Sequence, residues 1–135
     1  MALHRFCKAI VEREPLHIFG DGQQSRDLTF VSDIVEANLQ AATNDAAVGE
    51  TFNIAGGART TLHEVLDLLR EISGTRIECV CEQRQRGDVQ DTLADTSRAT
   101  HLLGYTPQIS LREGLVRQFA SIVDLYRAIP GRMVA

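Results

Sequence analysis

The chain has no tryptophan, and only 5% of it is aromatic. It holds three cysteines, four histidines and a single lysine, Lys8. Each scarcity excludes something. With one lysine, neither tyrosine has a lysine four residues on: Ile109 follows Tyr105 and Pro130 follows Tyr126, so no Tyr-x-x-x-Lys proton-transfer pair exists. His4, His17, His63 and His101 are scattered, which argues against a metal centre. Cys79 and Cys81 stand two apart on an expected strand, pointing the same way but poorly placed to bond each other, and Cys7 is far away. Reduced thiols in a cytoplasmic protein are the expectation. No apolar run is long enough to span a bilayer, and the N-terminus lacks a signal-peptide pattern. The net charge of −4, with no long basic stripe, argues against a nucleic-acid surface. No internal repeat or low-complexity segment occurs.

What remains is ordinary globular material. At 44% hydrophobic and 24% charged, the 135 residues are enough for one domain with a core and too few for two comfortable ones. One partial domain over 1–128 is expected, with 129–135 as a tail. Its organising stretch is Pro15 to Asp33. There Asp21-Gly22 sits between two extended runs, the local chemistry of a hairpin turn. Alternation along the second run places Arg26, Leu28 and Phe30 on one side and Asp27, Thr29 and Val31 on the other. An arginine on a face otherwise Leu and Phe needs an anionic partner. Two readings are open: an intramolecular ion pair with Asp27 or Asp33, or a site for an external oxyanion.

Around this stretch, helices and short strands alternate, which gives α/β or α+β material. Phe6, Ile10 and Val11 stand at helical spacing within Leu3 to Glu12, and Pro15 closes that helix. Asp33 to Glu36 has the form of a helix start, and the helix continues through Ala42. Thr51 to Ala55 reads as an isolated extended run before Gly56-Gly57. Thr61-Leu62-His63-Glu64 is a capping box opening a helix that stops at Gly74. Ile77 to Cys81 reads as a strand and Glu82 to Thr92 as a polar loop. Asp95 is expected to cap a short helix ended by Gly104. A second capping box, Ser110 to Glu113, opens the last helix, with Leu111, Leu115, Val116, Phe119, Ile122, Val123 and Tyr126 on one stripe.

Two constellations carry possible chemistry. Gly20-Asp21-Gly22 does not suit a dinucleotide, because the turn leads into an expected strand rather than a helix, and Ser25 stands where a third glycine is needed. Gly56-Gly57 reads as a tight turn before a helix. Arg84-Gln85-Arg86-Gly87-Asp88 is either a solvated loop or a phosphate clamp with a carboxylate for sugar hydroxyls. Ser32, Ser97 and Ser110 lie at helix starts, where capping explains them better than nucleophilic catalysis.

Four ordered motifs now coincide. Leu16 through Asp27 followed by Val31-x-Asp33 resembles I-x-G-D-G-x-Q-x-R-D-F-x-Y-V-x-D. Phe52 to Gly57 looks like F-N-I-G-x-G. Gly87-Asp88-Val89 through Ala94-Asp95, then Leu102-Leu103-Gly104-Tyr105-x-Pro107, looks like G-D-V…A-D…L-G-W-x-P. The chain therefore resembles the NAD-dependent nucleotide-sugar epimerases and dehydratases, the extended short-chain dehydrogenases, from Pro15 to Val123.

The resemblance implies a nucleotide-diphosphate sugar as ligand. It assigns His17, Ile18 and Phe19 to the base, Arg26 to the diphosphate and Asp88 to ribose hydroxyls. Many members place arginine where this chain has Gln85, so Arg84 or Arg86 is left to supply that charge. The family's glycine-rich NAD turn and tyrosine acid/base pair are not in the sequence. The expectation is thus a substrate-binding C-terminal portion without its Rossmann half, with no catalytic or cofactor-binding residue of its own, and no turnover alone. NAD belongs to the full-length family. The parent reaction would be epimerisation, as in UDP-glucose 4-epimerase, or dehydration. A non-catalytic interaction module and a non-functional truncated chain are the alternatives. The run Thr51–Ala55, parted from the missing half, should leave an apolar edge open to that half or to self-association.

Overall fold

Periodicity and caps account for most of the helices. The computed structural model describes residues 2–128, so the expected tail at 129–135 lies outside the described residues. Helix α1 (Ala2–Glu12) buries Phe6, Cys7, Ile10 and Val11. Strand β1 (Leu16–Phe19) and strand β2 (Ser25–Asp27) follow, then helix α2 (Val31–Thr43) and strand β3 (Arg59–Thr61). Helix α3 (Leu62–Ser73), strand β4 (Cys79–Glu82) and helices α4 (Ser97–Leu103) and α5 (Leu111–Arg127) complete the order. None of these helices is long and apolar enough to cross a membrane.

The chain divides into two compact units. Among the described residues the first comprises 2–24, 61–89 and 112–128, and the second 25–60 and 90–111. In the first unit, β1 pairs parallel with β4 in the register Leu16↔Cys79 to Phe19↔Glu82. Leu16 and Ile18 point inward and are buried, as are Val65, Leu66 and Leu69 of α3 and Leu115, Ile122 and Tyr126 of α5. Of the expected α5 stripe, Val116 is exposed, because it lies at the edge of the buried arc. Desolvation raises the Cys7 thiol to about 11, so it behaves as a small apolar side chain, while Cys79 and Cys81 are free and exposed.

The capping box on α3 forms completely. Thr61 Oγ1 accepts from Glu64 N at 3.2 Å, and Glu64 Oε2 accepts from Thr61 N at 2.7 Å. The helix ends at Gly74 in the left-handed conformation, with φ 64°. The Thr61 amide, then its hydroxyl, holds the Glu64 carboxyl below the ordinary carboxylate range. A lowered folded value contributes stability above the unfolded-state pKa, and that contribution is lost as pH falls through the folded one. Thr61→Ala should cost about 1 kcal/mol in urea unfolding at pH 7. The gap between the variant and the parent should narrow in acid, because the Thr61 hydroxyl's bond to the ionised Glu64 carboxylate is lost in the variant while the backbone N–H bond remains; a constant gap would mean that this hydroxyl bond contributes nothing.

The hairpin expectation is overturned. β1 pairs with β4 and β2 with β3, so the runs flanking Asp21-Gly22 are not partners. The turn is open: Gly20 N donates to Glu82 O at 2.9 Å, and Gly22, at φ 77°, faces the imidazole of His63. A Cβ on Gly22 would fall 2.7 Å from His63 Cε1, so a side chain there would have to displace the exposed His63 ring and adopt a positive φ. β2 ends at Asp27, so the expected alternation through Phe30 and Val31 does not extend beyond it.

The second unit is centred on Ala37, Ala99, Leu103 and Tyr105, with Ala41, Ala47, Phe52 and Ile54 packed against them. Thr51–Ala55 forms no strand, contrary to expectation. Its backbone is taken instead by a side chain: Tyr105 Oη donates to Ala55 O at 2.8 Å, and Phe52 and Ile54 turn into the cluster rather than forming an open edge. Asp33 also departs from its expected capping role. α2 begins at Val31, and the Asp33 carboxylate is buried, accepting from Ile109 N at 3.3 Å.

Candidate functional site

Within the first unit, β1 carries three of the sequence-assigned residues. Ile18 is buried in the core, His17 is exposed on the opposite face, and Phe19 is half-buried. His17 Nδ1 lies 2.6 Å from Glu82 Oε1, the last residue of the paired strand. The Gln24 side-chain amide donates to Phe19 O at 2.9 Å, which fixes the strand end where β1 runs into the glycine turn. Gln23 N donates to Asp21 Oδ1 at 3.0 Å and tightens that turn.

The parallel register brings the second constellation to the same end. β4 finishes at Glu82 opposite Phe19, and the chain continues into Arg84–Asp88. Arg84 Cβ lies 3.9 Å from the point a Cβ on Gly20 would occupy. Its guanidinium Nη2 donates to Asp88 O at 3.0 Å, and Asp88 N donates to Gln85 O at 3.3 Å, with Gly87 at φ 86° completing the turn. Arg84, Gln85 and Arg86 are exposed and Asp88 is half-buried. One end of this unit thus offers exposed arginines, a carboxylate and a strand end together. Glu82 and Gln24 hold this arrangement by hydrogen bonds and the His63 ring lies over Gly22; none of the three was among the sequence-assigned site residues. Only Gln24, inside the first motif, carried a signal; the Glu82 contact spans 65 residues.

Arg26 belongs to the second unit, where it is half-buried and donates through Nη1 to Ser25 O at 2.7 Å and Gln90 O at 3.1 Å. Ser25 N donates to Gln90 O, Thr92 N to Ser25 O, and Ser25 Oγ to Asp91 Oδ1 at 2.5 Å, so the loop after Val89 is laced to β2. Asp27 binds two other motifs: Oδ1 accepts from Gly57 N at 3.1 Å and Oδ2 from Ala94 N at 3.3 Å. Asn53 Nδ2 donates to Asp95 O, and Asp95 in turn accepts from Ser97 N at 2.9 Å ahead of α4. Burial first, and then the charges of Asp33 and Asp27, push the Tyr105 phenol above its ordinary range, so it remains the donor that Ala55 requires. The motif residues of this unit therefore interlock as a scaffold.

The Gly20–Gly22 turn continues to β2 rather than to a helix N-terminus, so the described residues there do not form the strand–turn–helix cradle that an NAD pyrophosphate occupies. Among the described residues no cluster of three or more metal-ligating side chains occurs.

Fold and motifs together define a portion of an extended short-chain dehydrogenase. The family model for GDP-mannose 4,6 dehydratase matches residues 3–118, and the chain belongs to that family of NAD-dependent epimerases and dehydratases. It is 39% identical over 127 residues to the uncharacterized UDP-glucose epimerase YtcB of Bacillus subtilis, covering 94% of this chain and 40% of that protein. The UDP-glucuronate 4-epimerase of Thermodesulfobacterium geofontis is 35% identical, with 87% of this chain and 36% of that protein covered. A solved Bacillus cereus UDP-glucuronic acid 4-epimerase, in complex with UDP-glucuronic acid and NAD, superposes with a TM-score of 0.89 at 35% identity. That match covers 93% of this chain and 40% of the solved one. The chain thus spans about two-fifths of the length of such relatives, matching their C-terminal portion.

Proposed function

We propose that this chain is the nucleotide-sugar-binding portion of a UDP-sugar 4-epimerase-like protein, and that it does not turn over alone. The observation carrying this reading is the β1–β4 register, which sets His17–Phe19 beside the Arg84–Asp88 loop at one end of the first unit. His17, Ile18 and Phe19 line the base, in part through backbone groups, and Asp88 accepts from ribose hydroxyls. Arg84 or Arg86 supplies the cation that Gln85 does not. Arg26, in the second unit, keeps its assignment to the diphosphate. Relatives described as UDP-sugar epimerases, solved with UDP-sugars, support the choice of ligand class. The hydride step needs NAD and a proton-transfer pair, and these residues supply neither. NAD would therefore act from the portion of the relatives that this chain does not span.

Calorimetry of the 135-residue chain with UDP, UDP-glucose and UDP-glucuronic acid tests the reading. UDP should bind, and Arg26→Ala should weaken binding about 10- to 150-fold, the loss of one charge-assisted contact of roughly 1.5–3 kcal/mol. Circular dichroism must show the variant folded, since Arg26 also ties Ser25 to Gln90. A folded chain that ignores all three ligands sinks the proposal and leaves a non-catalytic interaction module or a non-functional chain.

A further inference from the structure

Strand β4, one of only two in its sheet, carries two thiols. Cys79 and Cys81 are both free and both exposed. Cysteine is among the most buried residue types, so two exposed on one short strand call for a reason. Standing two apart, they project from the same face. The register identifies that face: Cys79 pairs with Leu16 and Cys81 with Ile18, whose side chains are buried. His17 and Glu82 meet on the opposite one. Arg70, in the last turn of α3, brings Nη2 to 4.0 Å from Cys79 Sγ, while its Nη1 donates to Asp67 Oδ1 at 2.5 Å.

We propose that Cys79 and Cys81 form a two-coordinate site for a soft monovalent cation of the Cu(I) class, with Arg70 balancing its charge. A disulfide does not suit the pair. Residues two apart on a strand are about 6.6 Å apart at Cα, at the far end of the roughly 4.4–6.8 Å that a disulfide bridges. Their side chains also run parallel, which keeps the Cβ atoms beyond the disulfide mean of about 3.8 Å. A cation between the sulfurs relaxes that limit. Two metal–sulfur bonds of about 2.3 Å laid end to end span about 4.6 Å, which thiols leaning together from such a base can reach. Thiolate donors select soft ions, Cu(I) among them. Structural Zn(II) takes four ligands, and among the described residues no group of three or more ligating side chains occurs. The scattered histidines thus argue against a nitrogen-ligated centre and not against a two-sulfur one. Charge favours the same ion. Two thiolates and one monovalent cation leave a single negative charge, and the Arg70 guanidinium stands beside it. Loading releases two protons, one from each thiol.

Anaerobic titration of the 135-residue chain with Cu(I), in competition with bicinchoninate, tests the site. The chain should take up one equivalent and develop thiolate-to-metal charge-transfer absorption. Cys79→Ser and Cys81→Ser should each weaken binding at least about 100-fold, more than the loss of a supporting group does. Both positions are exposed, so both variants should keep the circular dichroism of the parent. The double variant still contains the buried Cys7, and a full equivalent retained by it overturns the proposal. Arg70→Gln should weaken binding roughly 10-fold, and Arg70→Lys should recover most of that loss. Unchanged affinity in Arg70→Gln overturns the charge-balancing role. Saturating Cu(I) should raise the urea midpoint, because a site set by strand β4 binds the folded chain better than the unfolded one. Equal affinity for the two leaves the midpoint unmoved and overturns the site. So does one cation per two chains with a dimer in sedimentation, which makes the bridge intermolecular. Calorimetry with UDP reads the nucleotide-sugar proposal on its own, so failure of one is distinguishable from failure of the other.

Discussion

Gly56→Ala should lower the thermal unfolding midpoint by about 10 °C or more, with no ligand present. The cause is contact, not backbone strain. A Cβ on Gly56 would lie 2.2 Å from the carbonyl oxygen of Leu28, 3.2 Å from its carbon and 3.3 Å from Asp27 Oδ1. The nearest of these atoms is backbone, so no side chain can swing aside, and the segments after β2 and before β3 must separate. Overpacking of this kind costs about 3 kcal/mol, toward the upper end of the usual range. Gly57→Ala is the informative contrast. There φ is 80°, but the added atom would meet only Pro107 Cγ at 4.0 Å, so the penalty is the left-handed conformation itself, about 1–2 kcal/mol. If the two variants melt alike, or Gly56→Ala melts within about 2 °C of the parent, the close approach of Leu28 is not maintained in solution.

The glycine pair also shows how the sequence can and cannot be read. Helix α3 was legible because its start and stop are local chemistry, Thr61 with Glu64 and then Gly74. The strands were less so. Asp21-Gly22 has the composition of a hairpin turn, yet β1 pairs with a strand that begins at Cys79, and no local signal specifies a parallel partner so far away. Thr51–Ala55 has a strand's composition, but the group that satisfies Ala55 O is a phenol 50 residues on. Asp33 sits where a capping acid would, and is claimed instead by the Ile109 amide. In each case a distant partner overrode a sound local preference. The candidate site divides similarly. Its residue identities were visible through the motifs, whereas Glu82 beside His17 and His63 over Gly22 depended on register and packing. The motifs also mixed two kinds of residue: those at the end of β1 and in the Arg84–Asp88 loop, and those that knit the second unit together.

Asp27 belongs to the second kind, and Asp27→Ala should cost about 3 kcal/mol in urea unfolding. Its carboxylate is divided between two amides, Oδ1 taking Gly57 N and Oδ2 taking Ala94 N. Three of the recurring motifs therefore meet on one side chain, the Arg26-Asp27 pair, the Gly56-Gly57 turn and Ala94-Asp95. Alanine removes both acceptors at once. Each charge-assisted bond contributes roughly 1.5–3 kcal/mol when buried, and the low end applies here because the Gly57 bond is solvent-exposed. The Asp27→Asn variant separates this role from a merely steric one. Asparagine keeps the shape but offers one oxygen, so one of the two N–H groups must face an NH₂ donor whichever way the amide turns. Its stability should consequently approach that of the alanine variant rather than that of the parent. An asparagine variant as stable as the parent would show that a single acceptor suffices, and the three-motif junction would then not depend on both bonds.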